Sequence, residues 1–358
     1  MRSFAARVVA WQRKHGRSGL PWQGRDPYRV WLSEVMLQQT QVSTVIPYYE
    51  RFLKRFPDLS ALAQAPLDDV MRLWAGLGYY SRARNLHAAA RRIEEELGGA
   101  FPRSAEAIVG LPGIGRSTAA AIAAFCFDER VPILDGNVKR VLARHAGIAG
   151  DPSAGPTQVR LWEHARGLLP VSARMPAYTQ GLMDLGATTC VRARPGCTAC
   201  PVRTDCYALR HDRIDQLPTP RKRKAAPTRR ACILLAVAGD AVLLEQRPPT
   251  GIWGGLLAPP QYADARALRR ALESMSEGTS VRAMPKRTLG FSHFTLAFTP
   301  FVATLDAVRP GVQEPGHRWV SLDRLADVAL PAPMQSLLVD LRAQLAQPPR
   351  RRKRSAAT

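Results

Sequence analysis

Cys190, Cys197, Cys200 and Cys206 lie within 17 residues in the spacing C-x6-C-x2-C-x5-C, and Pro201 follows the third. Four thiols so close in sequence do not all face solvent by chance. Gathered, they form a four-sulfur cage suited to an iron–sulfur cluster or a structural zinc. Two disulfides are the alternative, but the chain shows no secretory context in which they would persist. Zinc ribbons usually offer two short C-x2-C pairs far apart, and here only one pair is short. The spacing therefore favours a [4Fe–4S] cluster.

The chain of 358 residues carries a net charge of +22, which points to a polyanionic partner. Two acid-free segments hold half of that excess: Arg221, Lys222, Arg223, Lys224, Arg229 and Arg230, then Arg350, Arg351, Arg352, Lys353 and Arg354. The remainder is basic as well, so tails alone do not explain the charge. Such segments read as solvated linkers rather than targeting signals. Met1 to Gly16 lacks the apolar run of a signal peptide, and no stretch approaches the roughly 20 apolar residues that span a bilayer. A reducing, soluble cytoplasmic setting with no membrane partner is therefore expected. Cys126 and Cys232 are then expected to be free, buried and inert.

Up to about residue 213 the apolar spacing is helical, as in Val30, Trp31, Val35 and then Leu59, Leu62, Val70, Leu73, Trp74. Pro47, Pro57, Pro66, Gly76 and Gly78 cut this stretch into short helices. Residues 214–230 form a Pro-rich basic linker. Beyond it, Cys232 to Val237 and Ala241 to Glu245 read as two strands around a Gly239-Asp240 turn. A helix at about 264–274 and strands near 287–306 complete a small α/β or α+β domain over 231–346. Residues 347–358 are expected to be disordered. The fold class is thus multidomain: an all-α domain with a cysteine loop, then a smaller α+β domain.

Three motifs could carry chemistry. Leu111-Pro-Gly-Ile-Gly115 sits between helical stretches. Its glycines allow a sharp turn that bares backbone N–H groups at the start of the next helix. A helix–turn–helix corner and a phosphate-binding hairpin both fit. On a helix, Glu34 shares a face with Val30, Trp31, Leu37 and Gln38. It is either a glutamate at an amphipathic rim or a buried acid with a raised pKa. Asp135 follows the apolar run Val131 to Leu134. It is placed as an N-cap, and the same geometry can aim a carboxylate into a cleft.

Together these features resemble the endonuclease III superfamily of helix-hairpin-helix DNA glycosylases, and within it the adenine DNA glycosylase branch. The resemblance rests on Trp31-Leu-Ser-Glu-Val-Met-Leu-Gln-Gln-Thr-Gln41, Gly76-Leu-Gly-Tyr-Tyr80, Leu134-Asp-Gly-Asn-Val-Lys-Arg140, Phe291-Ser-His293 and the four cysteines, in order along nearly the whole chain. It implies a glycosylase domain over 1–213, with a six-helix barrel at about 26–133 and a cluster domain from 1–25 plus 134–213. One [4Fe–4S] cluster on Cys190, Cys197, Cys200 and Cys206 goes with it. The second domain resembles a Nudix fold at Gly251-Ile-Trp-Gly-Gly-Leu256. Its helix carries only Glu273 where a hydrolase needs a carboxylate cluster for magnesium, so a recognition role is expected.

The implied activity is hydrolysis of the glycosidic bond of adenine mispaired with 8-oxoguanine or guanine in duplex DNA, by a monomer. By resemblance, Glu34 is the general acid, Asp135 stabilises the oxocarbenium-like sugar, and Asn137 orients water or the carboxylates. Gln180, Trp22 and Leu37 form the adenine pocket. Gln39, Thr40 and Tyr79 contact the opposite base, and Phe291, Ser292 and His293 sense the lesion. Gly113, Gly115, Ser117 and Lys139 meet DNA, as do Arg192 and Arg194 in the cysteine loop. Bifunctional thymine-glycol enzymes carry a lysine where this chain has Ser117, which cannot form a Schiff base. A monofunctional enzyme is therefore expected.

Overall fold

The computed structural model describes residues 3–171, 174–220, 226–276, 279–291, 293–305 and 316–346. By internal contact the chain divides into two compact units, residues 1–65 with 82–223 and residues 66–81 with 224–358. The basic runs at 221–224 and 350–354, and Ser292, lie outside the described residues.

The chain up to residue 213 is helical. Its helices are α1 (Phe4–His15), α2 (Pro27–Met36), α3 (Val42–Arg55), α4 (Leu59–Gln64), α5 (Leu67–Trp74), α6 (Ser81–Leu97), α7 (Ala105–Ile108), α8 (Arg116–Phe127), α9 (Gly136–Ala146), α10 (Gly155–Gly167), α11 (Met175–Asp184) and α12 (Tyr207–Arg210). Short polar caps set several of the starts: Asp26, Asp58 and Ser104 each accept an N–H from the first turn that follows. Helix α2 ends at Met36, one residue before Leu37, so Gln38 lies beyond the helix that the spacing predicts for it.

Helix α8 explains how this unit closes. Its run of alanines, Ala119 to Ala121 with Ala123 and Ala124, is buried, and the helix packs on α2, α7 and α11. Small side chains all round let three neighbours approach one axis. The larger groups come from those neighbours and from α1 and α9: Val8, Val138, Leu142 and Leu182 join one core. Each such burial contributes about 1.5–3 kcal/mol. Helix α11 runs into a π-turn at Leu185–Thr189, which delivers the chain to Cys190. Gly186 in that turn has no room for a side chain. A Cβ there would lie 2.7 Å from the Asn137 Cβ and 2.9 Å from its carbonyl oxygen.

Among its described residues, the second unit holds one eight-stranded sheet. Its strands are β1 (Thr228–Ala238), β2 (Ala241–Gln246), β3 (Leu257–Ala258), β4 (Gln261–Tyr262), β5 (Val281–Ala283), β6 (Arg287–Gly290), β7 (Thr295–Thr304) and β8 (His317–Ser321). Strand β1 pairs in parallel with β7, Thr228 facing Thr295 through Val237 facing Thr304. It turns back through Gly239-Asp240 into antiparallel β2. As a central strand, β1 is buried almost continuously from Ala231 to Val237. Helix α13 (Ala265–Met275) covers one face through Leu268, Leu272 and Met275. A further helix, α14 (Ala332–Leu345), buries Met334, Leu337, Leu338 and Leu341.

None of the six cysteines is in a disulfide. Cys126 is buried as expected, but Cys232 is only half-buried, although β1 is paired there on both sides, with Tyr262 of β4 and Thr299 of β7. No described helix is long and apolar enough to cross a membrane.

Gly186→Ala should destabilise the helical unit by about 1–3 kcal/mol through overpacking against Asn137. Thermal denaturation followed by circular dichroism measures it, and an unchanged midpoint would show that α9 and the π-turn are not packed this closely.

Candidate active site

A cleft of about 1360 Å³ opens in the helical unit. Glu34 reaches it from α2, Asp135 and Asn137 from the start of α9, Gln180 from α11, and Ser117 from α8. Trp22, Leu37, Gln39, Thr40, Gly113 and Gly115 complete the wall among the expected residues. Lys139 is not on this wall. Tyr79, Phe291 and His293 belong to the second unit.

Glu34 keeps some surface on the cleft, yet protein surrounds it on its other sides. Burial, and then the charge of Asp135, push its carboxyl up to about 8. Burial also raises Asp135, but there it is opposed. Asp135 caps α9, accepting the Val138 N–H at 2.7 Å. The Asn137 N–H and the charges of Arg140 and Lys139 favour its anion too. Both carboxyls are raised by burial, but only at Asp135 do backbone N–H groups and cationic neighbours act in favour of the anion, so the two environments differ. Capping and facing the cleft coexist at Asp135.

The neighbours of this pair are held from behind. Arg140 donates through Nη2 to Asn137 Oδ1 at 2.9 Å and to the Gly186 carbonyl at 2.6 Å, and through Nε to the Cys190 carbonyl at 2.7 Å. Ser117 Oγ accepts the Leu134 N–H at 3.0 Å, tying α8 to the residue before Asp135. In the hairpin, Gly113 has φ +74°, and a Cβ there would fall 2.5 Å from Asn85. No side chain caps the start of α8, whose N-cap is Gly115.

Gln39 and Tyr79 are exposed and left-handed, with φ of 59° and 50°. Arg82 secures the first of them. Its buried guanidinium donates to the carbonyls of Val35, Met36 and Gln38 at 2.9, 2.7 and 2.8 Å, and to Thr40 Oγ1 at 3.2 Å. In the sheet unit, Trp253 also has positive φ, 58°, and its ring meets Phe291 edge-on at 6.2 Å. Glu273 is exposed on α13, and no metal-holding carboxylate group forms among the described residues. Arg82 escapes a reading of the sequence, since it lies in no motif; Arg140 and Trp253 stand inside motifs, but nothing local shows the contacts they make.

The four cysteines line one small cavity together with Arg144. Arg144 is buried and donates to Cys190 Sγ at 3.5 Å and to the carbonyls of Val191, Arg192 and Leu217 at 2.7, 3.1 and 2.8 Å. Burial pushes the thiols of Cys197, Cys200 and Cys206 up, Cys200 to about 11, and each of the three also feels Cys190. Among the described residues no three His, Cys, Asp or Glu side chains meet as a group for one metal ion. A zinc would need all four sulfurs about 2.3 Å from one point. A four-iron cluster takes an all-thiol donor set, and the four cysteines that line this cavity supply one.

Residues 32–166 match the HhH-GPD superfamily of base excision DNA repair proteins, and residues 231–340 match the NUDIX domain. The chain is 34% identical over 346 residues to the adenine DNA glycosylase of Buchnera aphidicola (subsp. Acyrthosiphon pisum), covering 96% of this chain and 98% of that one. It is 34% identical to the adenine DNA glycosylase of Homo sapiens, covering 94% of this chain and 73% of that one. The solved structure of a thermostable thymine-DNA glycosylase matches with a TM-score of 0.52 at 27% identity, over 58% of this chain and 95% of that one. A helical unit with a glycine hairpin and two split carboxyls, followed by a Nudix-like sheet, thus goes with likeness along nearly the whole sequence: the chain belongs to the adenine DNA glycosylases, DNA repair hydrolases of the helix-hairpin-helix superfamily.

Proposed function

We propose that the protein removes adenine mispaired with 8-oxoguanine or guanine from duplex DNA and leaves an abasic site. The observation that carries this reading is the pair of carboxyls on one cleft, with Glu34 pushed up to about 8 beside the capped Asp135. The base leaves the stack and enters the cleft against Trp22, Leu37 and Gln180. Adenine departs poorly as an anion, so Glu34 gives it a proton as the bond from the sugar breaks. Positive charge grows on the deoxyribose, and ionised Asp135 stabilises it. Asn137, its amide oxygen held by Arg140, presents its nitrogen to the water or the carboxylates.

Phosphates meet the hairpin at Gly113 and Gly115, the start of α8 at Ser117, and Lys139, Arg192 and Arg194. Gln39, Thr40 and Tyr79 enter the stack beside the opposite base. Phe291, Ser292 and His293 read the lesion in a domain over 231–346, joined by a linker at 214–230. Ser117 offers no amine, and its hydroxyl is engaged with Leu134 N–H, so no Schiff base forms. Cys190, Cys197, Cys200 and Cys206 hold one [4Fe–4S] cluster. When bound it supplies structure and local charge, since glycosidic hydrolysis moves no electrons. The enzyme works as a monomer on the DNA of the cytoplasm.

Incubation with a duplex carrying one adenine opposite 8-oxoguanine, divided with and without hot alkali, tests the reading. Strand cleavage at the adenine is expected only after alkali. Cleavage without it would assign a nucleophilic amine and overturn the role of Ser117. Glu34→Gln should bind this duplex while losing base release, a general acid being worth on the order of 10²–10⁴ in rate. Ser292→Ala should narrow the preference for 8-oxoguanine over guanine, and an unchanged ratio would remove Ser292 from recognition.

The raised pKa also fixes two pH dependences. Base release needs the protonated acid, so its rate should fall as pH rises through about 8. Stability follows the same group. Folded Glu34 keeps its proton from the ordinary value of 4.5 up to about 8, whereas the unfolded chain loses it. Its contribution is complete below about 4.5 and lost as pH climbs to about 8. Glu34→Gln should therefore gain in melting temperature over wild type more at pH 8 than at pH 5. An equal difference at both would place Glu34 in solvent.

A further inference from the structure

Behind the cleft stands a carboxylate with no part in the mechanism above. Asp184 ends α11 and is fully buried, with a relative exposure of 0%. Its Oδ1 accepts from Gln180 Nε2 at 2.8 Å and from Arg17 Nε at 2.7 Å, and its Oδ2 accepts from the Arg17 backbone N–H at 3.0 Å. Gln180 and Arg17 line the cleft, but Asp184 does not.

A carboxylate only accepts hydrogen bonds, whereas an amide has one end that donates and one that accepts. Paired with the Arg17 guanidinium, Asp184 can take only the NH2 end of Gln180. The amide oxygen is thereby turned away from Asp184, and one N–H remains. An acceptor beside a donor complements the amino group and N7 of adenine. A 6-keto purine would set its oxygen against the amide oxygen. If the amide turned over, it would present NH2 to that keto oxygen and the discrimination would fade.

We propose that Asp184 is a positioning residue that sets base selectivity: it locks the amide polarity of Gln180, so that the pocket takes a 6-amino purine and refuses a 6-keto one. This rests on the reading of Gln180 as the contact to adenine. Asp184 touches no substrate, and its effect runs entirely through one hydrogen bond. The i+4 spacing from Gln180 to Asp184 on α11 makes that bond, and Arg17 fixes the carboxylate from the segment after α1.

Single-turnover release of adenine and of hypoxanthine, each opposite 8-oxoguanine in the same duplex, tests the proposal in wild type, Asp184→Asn, Gln180→Leu and the double variant. Asp184→Asn lets the amide adopt either polarity, so the adenine-to-hypoxanthine rate ratio should drop about tenfold, within the range of one bidentate base contact. Gln180→Leu should lower the ratio as much, and the double variant no further. A ratio retained in an active Asp184→Asn enzyme would reduce Asp184 to an anchor for the chain near Arg17 and overturn the proposal. Should that variant fail to fold, Gln180→Leu decides alone, because a retained ratio there removes the amide from selectivity. A wild-type enzyme that releases no adenine would overturn the functional reading itself, an outcome distinct from an active enzyme with an unchanged ratio.

Discussion

The helical unit brings two carboxyls to one cleft and gives them different surroundings. Side by side in water, Glu34 and Asp135 would both ionise near pH 4 and neither could donate a proton at neutrality. Burial alone would raise both. The asymmetry comes from the backbone: Asp135 sits at a helix start, where N–H groups and the helix dipole favour charge, and Glu34 sits in mid-helix, where no backbone donor is free. The alanines of α8 matter because they let α2 pack closely on its axis. Gly186 matters because the π-turn must lie directly on Asn137, two residues past Asp135.

Three arginines brace this arrangement through main-chain carbonyls. Arg82 binds the end of α2, Arg140 binds Asn137 and the π-turn, and Arg144 binds the start of the cysteine loop. Each meets main-chain carbonyls. A buried guanidinium is costly unless its fork is filled, and carbonyls at chain ends and turns are themselves short of donors. The match is mutual: the arginine loses water but keeps hydrogen bonds, and irregular backbone gains a fixed shape. Side chains carried by such backbone are then held in place by packing and hydrogen bonds around them.

How much of this is written in the chain divides along sequence distance. Glu34, Asp135, the hairpin and the cysteines announce themselves because the chemistry is local: a cap is read from one residue and its helix, a cage from four thiols in one segment. The strands around Gly239-Asp240 are legible for the same reason. Arg82 is not, because its partners lie 42 to 47 residues earlier. Nor is Asp184, whose partner Arg17 is 167 residues away. Periodicity extends α2 past Met36, but the chain leaves the helix there to bring Leu37 and Gln39 to the cleft wall. Cys232 reads as a core residue by its type and is only half-buried.

That departure from the helix carries a cost with a purpose. Gln39 adopts a left-handed backbone, a conformation that disfavours a side chain with Cβ by about 1–3 kcal/mol in strained settings. Its side chain is exposed, so no packing within the helical unit repays the strain. Arg82 repays it instead, by gripping the Gln38 carbonyl on one side and the Thr40 hydroxyl on the other. A loop strained by itself and braced from both flanks keeps one shape before any partner arrives. A backbone ordered in advance at this position loses less conformational entropy in any contact that the exposed glutamine makes.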